Sequence, residues 1–426
     1  MRPRKNSASQ FVSNVTDDLL SEILIRLPNC RDAVQCKSVC KRWCSLISSP
    51  LFIHRFIHQK SLVSNSHLSM LLFQRHSYED ISMPYPFGSE DRSMPYPFDS
   101  QFCQIFPEKL KIFRESFLNF LPCDVVIRAS FHDLLLVSQS SNPRDLYICN
   151  PLTRKWHALP QAPLGNTDYY RCGLVCLPYN CNKREKCTTS AHYKYKVVVF
   201  QDDDCECPDQ PPVVAIFCSE TAQWSELVDL RLPPPLKRWT QISGQPWSLN
   251  QIVVCNGILH WLESSHTLCW EGIVAFDPFT DVAEKRCSFI DLPLDINHSR
   301  PFNMMAYICL GTFRGRLRLS QLTGDYGLKV WELGEYYQNA ETSWSLVPNV
   351  SLTIGLPRTF LLALDPSNSS VVFLFCNNEL FRCDMSEGKN ENFGQFPVDI
   401  VIPSMSLSIF HLMHSSWPTP VPALPL

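Results

Sequence analysis

Cysteine and histidine side chains between positions 172 and 192 are the residues whose types and spacing could most readily bind a metal. They are Cys172, Cys176, Cys181, Cys187 and His192. Structural zinc sites typically take their thiolates from tight cysteine pairs. Here three, four and five residues separate successive cysteines, and none of them forms a CxxC pair. We therefore favour free cysteines over zinc ligands, and predict neither a metal nor a cofactor.

Motifs for other chemistry are absent from the sequence. It contains no GxxxxGK[ST], GxGxxG, GxSxG or HExxH, and its 12 histidines are scattered. Glycine, which phosphate-binding loops require, is scarce at 14 residues, whereas proline is abundant at 33. Because no set of candidate catalytic residues emerges, we predict that the protein is not an enzyme.

Composition and charge limit the class of protein further. The 426 residues are 45% hydrophobic and 19% charged, which is typical of a globular chain. The net charge of −3 gives no general reason to bind nucleic acid or acidic membranes. The first residues are polar, and no apolar run of about 18 residues occurs, so neither a signal peptide nor a membrane span is expected. The 20 cysteines are then expected to be reduced, in the cytoplasm and/or the nucleus.

Two amphipathic helices are predicted near the N-terminus. Residues 15–27 read VTDDLLSEILIRL, with apolar side chains at i, i+1, i+4, i+5 and i+8 on one helix face. Thr16 stands where an N-cap belongs, and Pro28 is expected to end the helix. A second helix is predicted from near Asp32 to Pro50. Its apolar face would hold Val39, Cys40, Trp43, Leu46 and Ile47.

This helical region resembles the F-box over residues 12–57. The resemblance lies in LLSEILIRLP followed by SVCKRWCSLISSPLF, although Val15-Thr16 replaces the Leu-Pro usual before the first helix. The F-box binds the Skp adaptor of a cullin-based ubiquitin ligase, and the resemblance implies the same partners here. For each matched position, plain core packing is the alternative. The adaptor contacts implied are Leu19, Leu20, Ile23, Leu27, Pro28, Val34, Val39 and Trp43.

The hexapeptide SMPYPF occurs twice in the next segment, at residues 82–87 and 93–98. Prolines beside each tyrosine exclude a helix or a central strand. We favour a duplication tolerated in an exposed loop over a doubled recognition motif. A strand is predicted just before it, at residues 67–73.

From residue 120 onward, apolar alternation and turn residues predict many short strands and no amphipathic helix of normal length. DLYICNPLTRKWHALP at 145–160 resembles VAIFCSETAQWSEL at 214–227, and weaker copies follow near residues 273–282 and 328–346. The repeats favour an all-β propeller. Runs predicted as strands are 133–139, 145–149, 195–200, 213–218, 251–262, 272–276, 307–312, 317–321, 328–333, 360–364, 371–376 and 379–383.

This β region resembles the F-box-associated domain of plant F-box proteins, which is kelch-like. The resemblance lies in NPLTRKW at 150–156, YKVVV at 195–199, CNGILHWL at 255–262 and AFDPFT at 275–280. It implies a multidomain chain, in which a small all-α F-box precedes an all-β, kelch-like β-propeller. The length from Ser66 onward, at roughly 50–60 residues a blade, predicts about six blades. The paired glycines of a true kelch repeat are missing.

The repeat residues are interpreted as scaffold. Trp156, Trp224 and Trp344 are expected to pack between blades. Asn150, Asp277 and Asp365, each followed by proline, are expected to bond the backbone of their own turns. The proline-rich tail, residues 415–426, is expected to be extended, either without a partner or as a proline-motif ligand.

The predicted organisation has five parts. A disordered N-terminus (1–11) precedes the F-box (12–57), a linker that holds the first strand and the SMPYPF duplication (58–119), the propeller (120–414) and the proline-rich tail (415–426). The predicted function is that of a substrate-recognition subunit of an SCF-type ligase, with an unknown target bound by loops on one propeller face. The alternatives are a propeller enzyme and a glycan-binding lectin, each with a helical leader.

Overall fold

The fold is described from a computed structural model of the chain. The description covers residues 15–28, 30–49, 51–53, 55–56, 59, 69–75, 102–105, 118–140, 142–163, 170–178, 193–201, 213–230, 252–264, 270–282, 285–296, 308–323, 327–334, 343–347, 359–366, 368–376, 379–395, 407–413, 418–419 and 421. Residues 1–11 and both SMPYPF copies lie outside these ranges. Within them, no helix has the length and apolar character needed to cross a membrane.

The N-terminal module is helical and has its own small core. Its helices are α1 (Asp17–Ile25), α2 (Cys30–Cys36) and α3 (Lys41–Ser48). The side chains buried together in this core are Leu20, Leu24, Ile25, Ala33, Ile47, Phe52 and Phe56.

The rest of the described chain forms antiparallel β-sheets. Five sheets have four consecutive strands each, and one of these carries an extra short strand. Blade 1 contains β3 (Val125–Phe131), β4 (Leu134–Gln139), β5 (Leu146–Asn150) and β6 (Lys155–Ala158). Blade 2 contains β7 (Tyr170–Pro178), β8 (Tyr193–Gln201), β9 (Val213–Cys218), β10 (Gln223–Trp224) and β11 (Val228–Asp229). Blade 3 contains β12 (Val253–Cys255), β13 (Ile258–Ser264), β14 (Trp270–Phe276) and β15 (Cys287–Asp291). Blade 4 contains β16 (Ile308–Phe313), β17 (Arg316–Leu322), β18 (Leu328–Leu333) and β19 (Trp344–Leu346). Blade 5 contains β20 (Thr359–Leu364), β21 (Val371–Cys376), β22 (Glu379–Asp384) and β23 (Lys389–Gln395).

A sixth, three-stranded sheet joins the two ends of the β region. It has the order β2-β1-β24, with β1 (Ser69–Arg75), β2 (Phe102–Ile105) and β24 (Leu407–Met413). β24 lies against β3, just as β3 lies against β7, so it takes the inner position of its sheet. The prediction of a helical module followed by an all-β propeller is confirmed. The expected six or so blades correspond to five complete blades and this three-stranded sheet.

The strand predicted at residues 67–73, within the linker segment, corresponds to β1. It pairs with β24 along its whole length, from Ser69↔Met413 to Arg75↔Leu407. Local sequence pattern could not reveal this pairing, because the partner strand is more than 330 residues away.

Apolar side chains fill the spaces between neighbouring blades. One buried cluster joins blades 1 and 2 through residues such as Ile148 and Val197. Comparable clusters join blades 2 and 3, blades 3 and 4, and blades 4 and 5. Another joins blade 1 to the sixth sheet, through Leu72 and Leu412. Since each blade is buried on both faces, strands such as β21 read as continuous apolar runs.

Tight turns explain one wrong strand prediction. Residues 251–262 form two strands, β12 and β13, and not one. Between them Asn256 and Gly257 both have positive φ, of 51° and 84°, as a two-residue hairpin turn requires. The next blade uses Arg314 and Gly315 in the same way. Asn256 Nδ2 donates to Gly315 O over 2.9 Å, which links the two turns.

Two of the three repeat tryptophans link blades, as predicted. Trp224 Nε1 donates to Pro160 O of blade 1 over 2.8 Å, and Trp344 Nε1 donates to Asp291 O of blade 3 over 2.7 Å. Trp156 differs, because it is 41% exposed and packs edge-on against Tyr147 of its own blade. The interval from Trp156 to Trp224 therefore spans one blade with its connections, and the interval from Trp224 to Trp344 spans two.

The three predicted side chain–backbone turns are present. Asn150 Oδ1 accepts from Leu152 N, Asp277 Oδ1 from Phe279 N, and Asp365 Oδ1 from Asn368 N. Asp365, however, comes after the first strand of its blade, whereas Asn150 and Asp277 stand at the end of the third strand of theirs. In blade 5 the equivalent residue is Asp384, whose Oδ1 accepts from Ser386 N.

A charged cluster stabilises blade 4. Glu332 on β18 accepts from Arg316 Nη1 over 2.8 Å and from Arg318 Nη2 over 2.7 Å. The Arg318 side chain is 9% exposed and that of Glu332 is 15% exposed. Burial alone would raise the pKa of the Glu332 carboxyl, but the hydrogen bonds from the two arginines lower it. The ionised form is therefore the one that stabilises the fold.

We expect Glu332→Gln to lower the free energy of unfolding by about 2–4 kcal/mol at pH 7, because it leaves Arg318 nearly buried without its countercharge. Glu391→Gln is the matched control, since Glu391 is 57% exposed beside Arg382 and should cost less than about 1 kcal/mol. Because the pKa of Glu332 is lowered in the fold, its contribution is present above the usual carboxyl pKa and is lost as pH falls. Urea unfolding at pH 7 and below pH 4 measures both effects, and equal losses in the two variants would contradict the assignment.

Candidate adaptor interface

Helix α1 separates its leucines into a buried set and an exposed set. Thr16 caps the helix, its side chain accepting from Leu19 N, and the acidic pair that follows suits the positive end of the helix dipole. Leu20 and Leu24 lie in the core, at 3% and 2% exposure. Leu19 and Ile23 are 58% and 54% exposed. These two are one helical turn apart, so they share a face open to a partner.

A break separates α2 from α3 and corrects the prediction of a single second helix. α2 ends at Cys36, and the Ser38 hydroxyl donates to Gln35 O over 2.7 Å. The backbone is extended at Cys40, which caps α3. The break takes Val39 out of helical geometry and leaves its side chain 59% exposed.

The remaining predicted contact residues are exposed or partly buried. Pro28 is exposed, whereas Leu27, Val34 and Trp43 are partly buried. Leu27 and Trp43 pack against the helical core and still present part of their surface. Leu20 alone among the eight predicted contact residues is fully in the core, so we assign it to packing and not to adaptor contact.

Two arginines hold the helices of this module together. Arg42 Nε on α3 donates to Asp17 Oδ1 over 2.8 Å, and its Nη2 donates to Val15 O. Arg55 forms an ion pair with Glu22. These contacts join the start and the middle of α1 to the later part of the module.

Two cysteines of the metal candidate lie in one apolar cluster. Cys172 and Cys176 lie on β7 in the apolar cluster between blades 1 and 2, and burial raises the pKa of the Cys172 thiol to about 12. Burial likewise raises the pKa of Cys176. Cys181, Cys187 and His192 lie outside the described residues, so the absence of zinc stays a prediction. Within the described ranges, no three potential ligands come together.

Comparison with protein families gives two matches. Residues 17–60 match the F-box-like family, which corresponds to the helical module. Residues 106–395 match the family described as F-box protein At3g26010-like, beta-propeller, which is more than half of the chain. The chain belongs to this F-box β-propeller family. The predicted family resemblance is thereby confirmed.

Two plant proteins resemble this F-box protein along most of its length. The F-box protein At5g49610 of Arabidopsis thaliana is 29% identical over 348 residues, covering 79% of each chain. The putative F-box/kelch-repeat protein At1g15680 of the same plant is 25% identical over 372 residues, covering 84% of this chain and 78% of the relative.

Similarity to solved structures is more distant. The structure of YjhT matches with a TM-score of 0.33 and 12% identity, covering 68% of this chain and 99% of that one. A lectin of Aleuria aurantia matches with a TM-score of 0.29 and 9% identity, covering 76% and 88%. TM-scores this low carry no argument about function.

One exposed residue of the F-box module was not among the predicted contacts. Leu51 follows α3 and is 71% exposed, while Phe52 beside it is 1% exposed. The adjacent apolar pair at positions 51 and 52 gave no sequence signal as to which side chain would face solvent, because packing decides that Phe52 enters the core.

The same substitution is expected to change stability by very different amounts at two neighbouring leucines, because one is buried and the other is exposed. Leu20→Ala should destabilise the F-box module by about 2–5 kcal/mol, because it leaves a cavity in the core. Leu19→Ala should change stability by less than about 0.5 kcal/mol, because its side chain already faces solvent. Thermal unfolding followed by circular dichroism compares the two variants. Equal destabilisation would show that the assigned orientation of α1 is wrong.

Proposed function

We propose that this F-box protein is the substrate-recognition subunit of an SCF-type cullin ubiquitin ligase. In this proposal the helical module binds the Skp adaptor and, through it, the cullin scaffold. The propeller binds the protein that is to be ubiquitinated. The observation that carries the proposal is the exposed apolar face of an F-box-like module, formed by Leu19 and Ile23, in a chain of the F-box propeller family.

The energetics of the F-box module support a partner. Leu19, Ile23, Val39 and Leu51 each leave more than half of their surface in water. Burying an apolar side chain fully yields about 1.5–3 kcal/mol, so covering the exposed half of each yields about 1 kcal/mol. Four such side chains on a module of about forty residues are a substantial apolar surface for its size.

The buried ionisable groups support a receptor and not an enzyme. Buried thiols such as Cys149 and Cys287 have a pKa raised by burial to about 12, which is the opposite of an activated nucleophile. The buried carboxylate of Glu263 accepts from Trp261 Nε1 over 3.1 Å and Glu332 binds two arginines, so both have structural partners. A receptor needs no chemistry of its own, since it raises the effective concentration of its target near the conjugating enzyme.

The F-box module and the propeller are joined by a short segment, which is consistent with one of them binding the adaptor and the other binding the target. The F-box module reaches residue 59, and β1 begins at Ser69 opposite Met413 at the end of β24. Fewer than ten residues separate the two, a reach of at most about 35 Å. The adaptor and the target would therefore be held within a limited distance of each other. We expect this complex to act in the cytoplasm and/or the nucleus.

The adaptor interface is tested by changing exposed residues only. The double variant Leu19→Ala/Ile23→Ala should fold normally and bind the Skp adaptor at least about tenfold more weakly, because roughly 1.5–3 kcal/mol of apolar contact is lost. Leu346→Ala is the matched control, because Leu346 is a propeller residue with 53% exposure. Titration calorimetry with purified adaptor measures both. Unchanged affinity in the double variant would contradict the interface.

The receptor role is tested in cells with the same double variant. Targets captured by the full chain with the proteasome blocked should still bind the variant, since the propeller is unaltered. Their ubiquitination should fall and their half-life should lengthen. A target half-life equal to that with the unchanged protein, despite lost adaptor binding, would refute the proposal.

A further inference from the structure

The C-terminal segment is attached to the first blade by a set of hydrogen bonds. Thr419 N donates to Asp133 Oδ2 over 2.7 Å, and Thr419 O accepts from Asn150 Nδ2 over 2.7 Å. Asn150 Nδ2 also donates to Asp133 Oδ2 over 2.8 Å. A carboxylate and an amide thus bind both backbone groups of one residue, much as a neighbouring strand would.

Both side chains that contact the tail belong to blade 1 and are buried. Asp133 and Asn150 are both 0% exposed. Asn150 Oδ1 accepts from Leu152 N and Thr153 N at 2.9 and 3.2 Å, which directs the Nδ2 side of the amide toward the tail. Burial raises the pKa of the Asp133 carboxyl, and the hydrogen bonds from Thr419 and Asn150 oppose that rise.

The tail sequence matches the donors and acceptors of this site. Proline precedes and follows Thr419, and proline has no backbone N–H. Thr419 N is therefore the single backbone donor in residues 418–420, and it is the one that Asp133 accepts. Val421 then packs against the apolar cluster between blades 1 and 2. Main-chain hydrogen bonds together with an apolar side-chain anchor are typical of an extended peptide in a specific site.

The same hairpin of blade 1 also holds the end of the last strand. Met413 N at the end of β24 donates to His132 O over 2.8 Å. His132 and Asp133 form the turn between β3 and β4, and His132 has a positive φ of 52°. The chain therefore contacts this turn at Met413 and again at Thr419.

We propose that Asp133 and Asn150 form a peptide-binding site that Pro418, Thr419 and Val421 of the tail occupy in cis, and that this contact fastens β24 to blade 1. Its ligand class is an extended, proline-flanked peptide with one free backbone N–H. The occupant is the chain's own tail, and the buried carboxylate is its principal recognition group. The site is independent of the F-box face used for the adaptor.

Removing the single donor tests the contact within the full chain. Thr419→Pro deletes the N–H that Asp133 accepts, and should lower the unfolding midpoint by at least about 3 °C. Amide hydrogen exchange in β24 and in the β3–β4 turn should become at least tenfold faster. Thr419→Ser keeps the N–H and the hydroxyl and should behave like the unchanged protein. Identical midpoints and exchange rates in both variants would overturn the proposal.

Binding in trans tests whether the site recognises a peptide. A chain ending at residue 414 should bind a synthetic peptide of residues 415–426, and should regain the lost stability when it does. The same peptide with Thr419→Pro should bind at least about tenfold more weakly. If both peptides bind alike or neither binds, the proposal fails. If the shortened chain does not fold, the point variants above decide.

A proline-flanked peptide of another protein that competes with the tail peptide would support the site and identify a second occupant. All variants should keep adaptor affinity, so failure here leaves the proposed function standing.

Discussion

The pairing of β24 with β1 is the interaction on which the rest of the propeller depends. Each complete blade is made from consecutive strands, so it can form locally. The sixth sheet cannot, because β1 and β24 lie at opposite ends of the β region and pair over seven residues. Closing so long a loop costs conformational entropy that only the completed ring repays. β24 also lies against β3, so this one strand joins the sixth sheet to blade 1.

Much of the β architecture could be predicted because its signals are local. β9, β18 and β21 lie where alternating or continuous apolar runs place them, and Asn150 and Asp277 bond their own turns as their Asn-Pro and Asp-Pro sequences indicate. The failures come from other causes. The Asn256-Gly257 turn was hidden inside an apolar run, so two strands were read as one. Asp384 was missed because methionine, not proline, follows it. β24 and its sheet could not be predicted, since nothing local to residues 407–413 specifies a partner at residues 69–75.

The F-box module shows a related limit. Sequence periodicity identifies an apolar stripe, but it cannot decide which of two adjacent leucines enters the core. Leu19 and Leu20 differ by 100° of helix rotation, and the packing of α3 and the segment after it selects Leu20. The break at Ser38 arises in the same way, because a serine hydroxyl that bonds a nearby carbonyl competes with the helix only where the tertiary structure permits it. Exposure, which decides what an adaptor can touch, is therefore a property of packing and not of composition.

The way the ring closes also determines at which end of the propeller the chain arrives from the F-box module. Strand directions place the start of β1, the end of β24 and the β3–β4 turn at one end of the propeller. The F-box chain enters there, and the tail is held there by Asp133. Because strands alternate in direction, the chain passes from one blade to the next at the opposite end. Loops at that opposite end lie away from the start of β1, the end of β24 and the chain that enters from the F-box module. In the receptor proposed above, a target bound by those loops would leave the closure and the F-box attachment undisturbed.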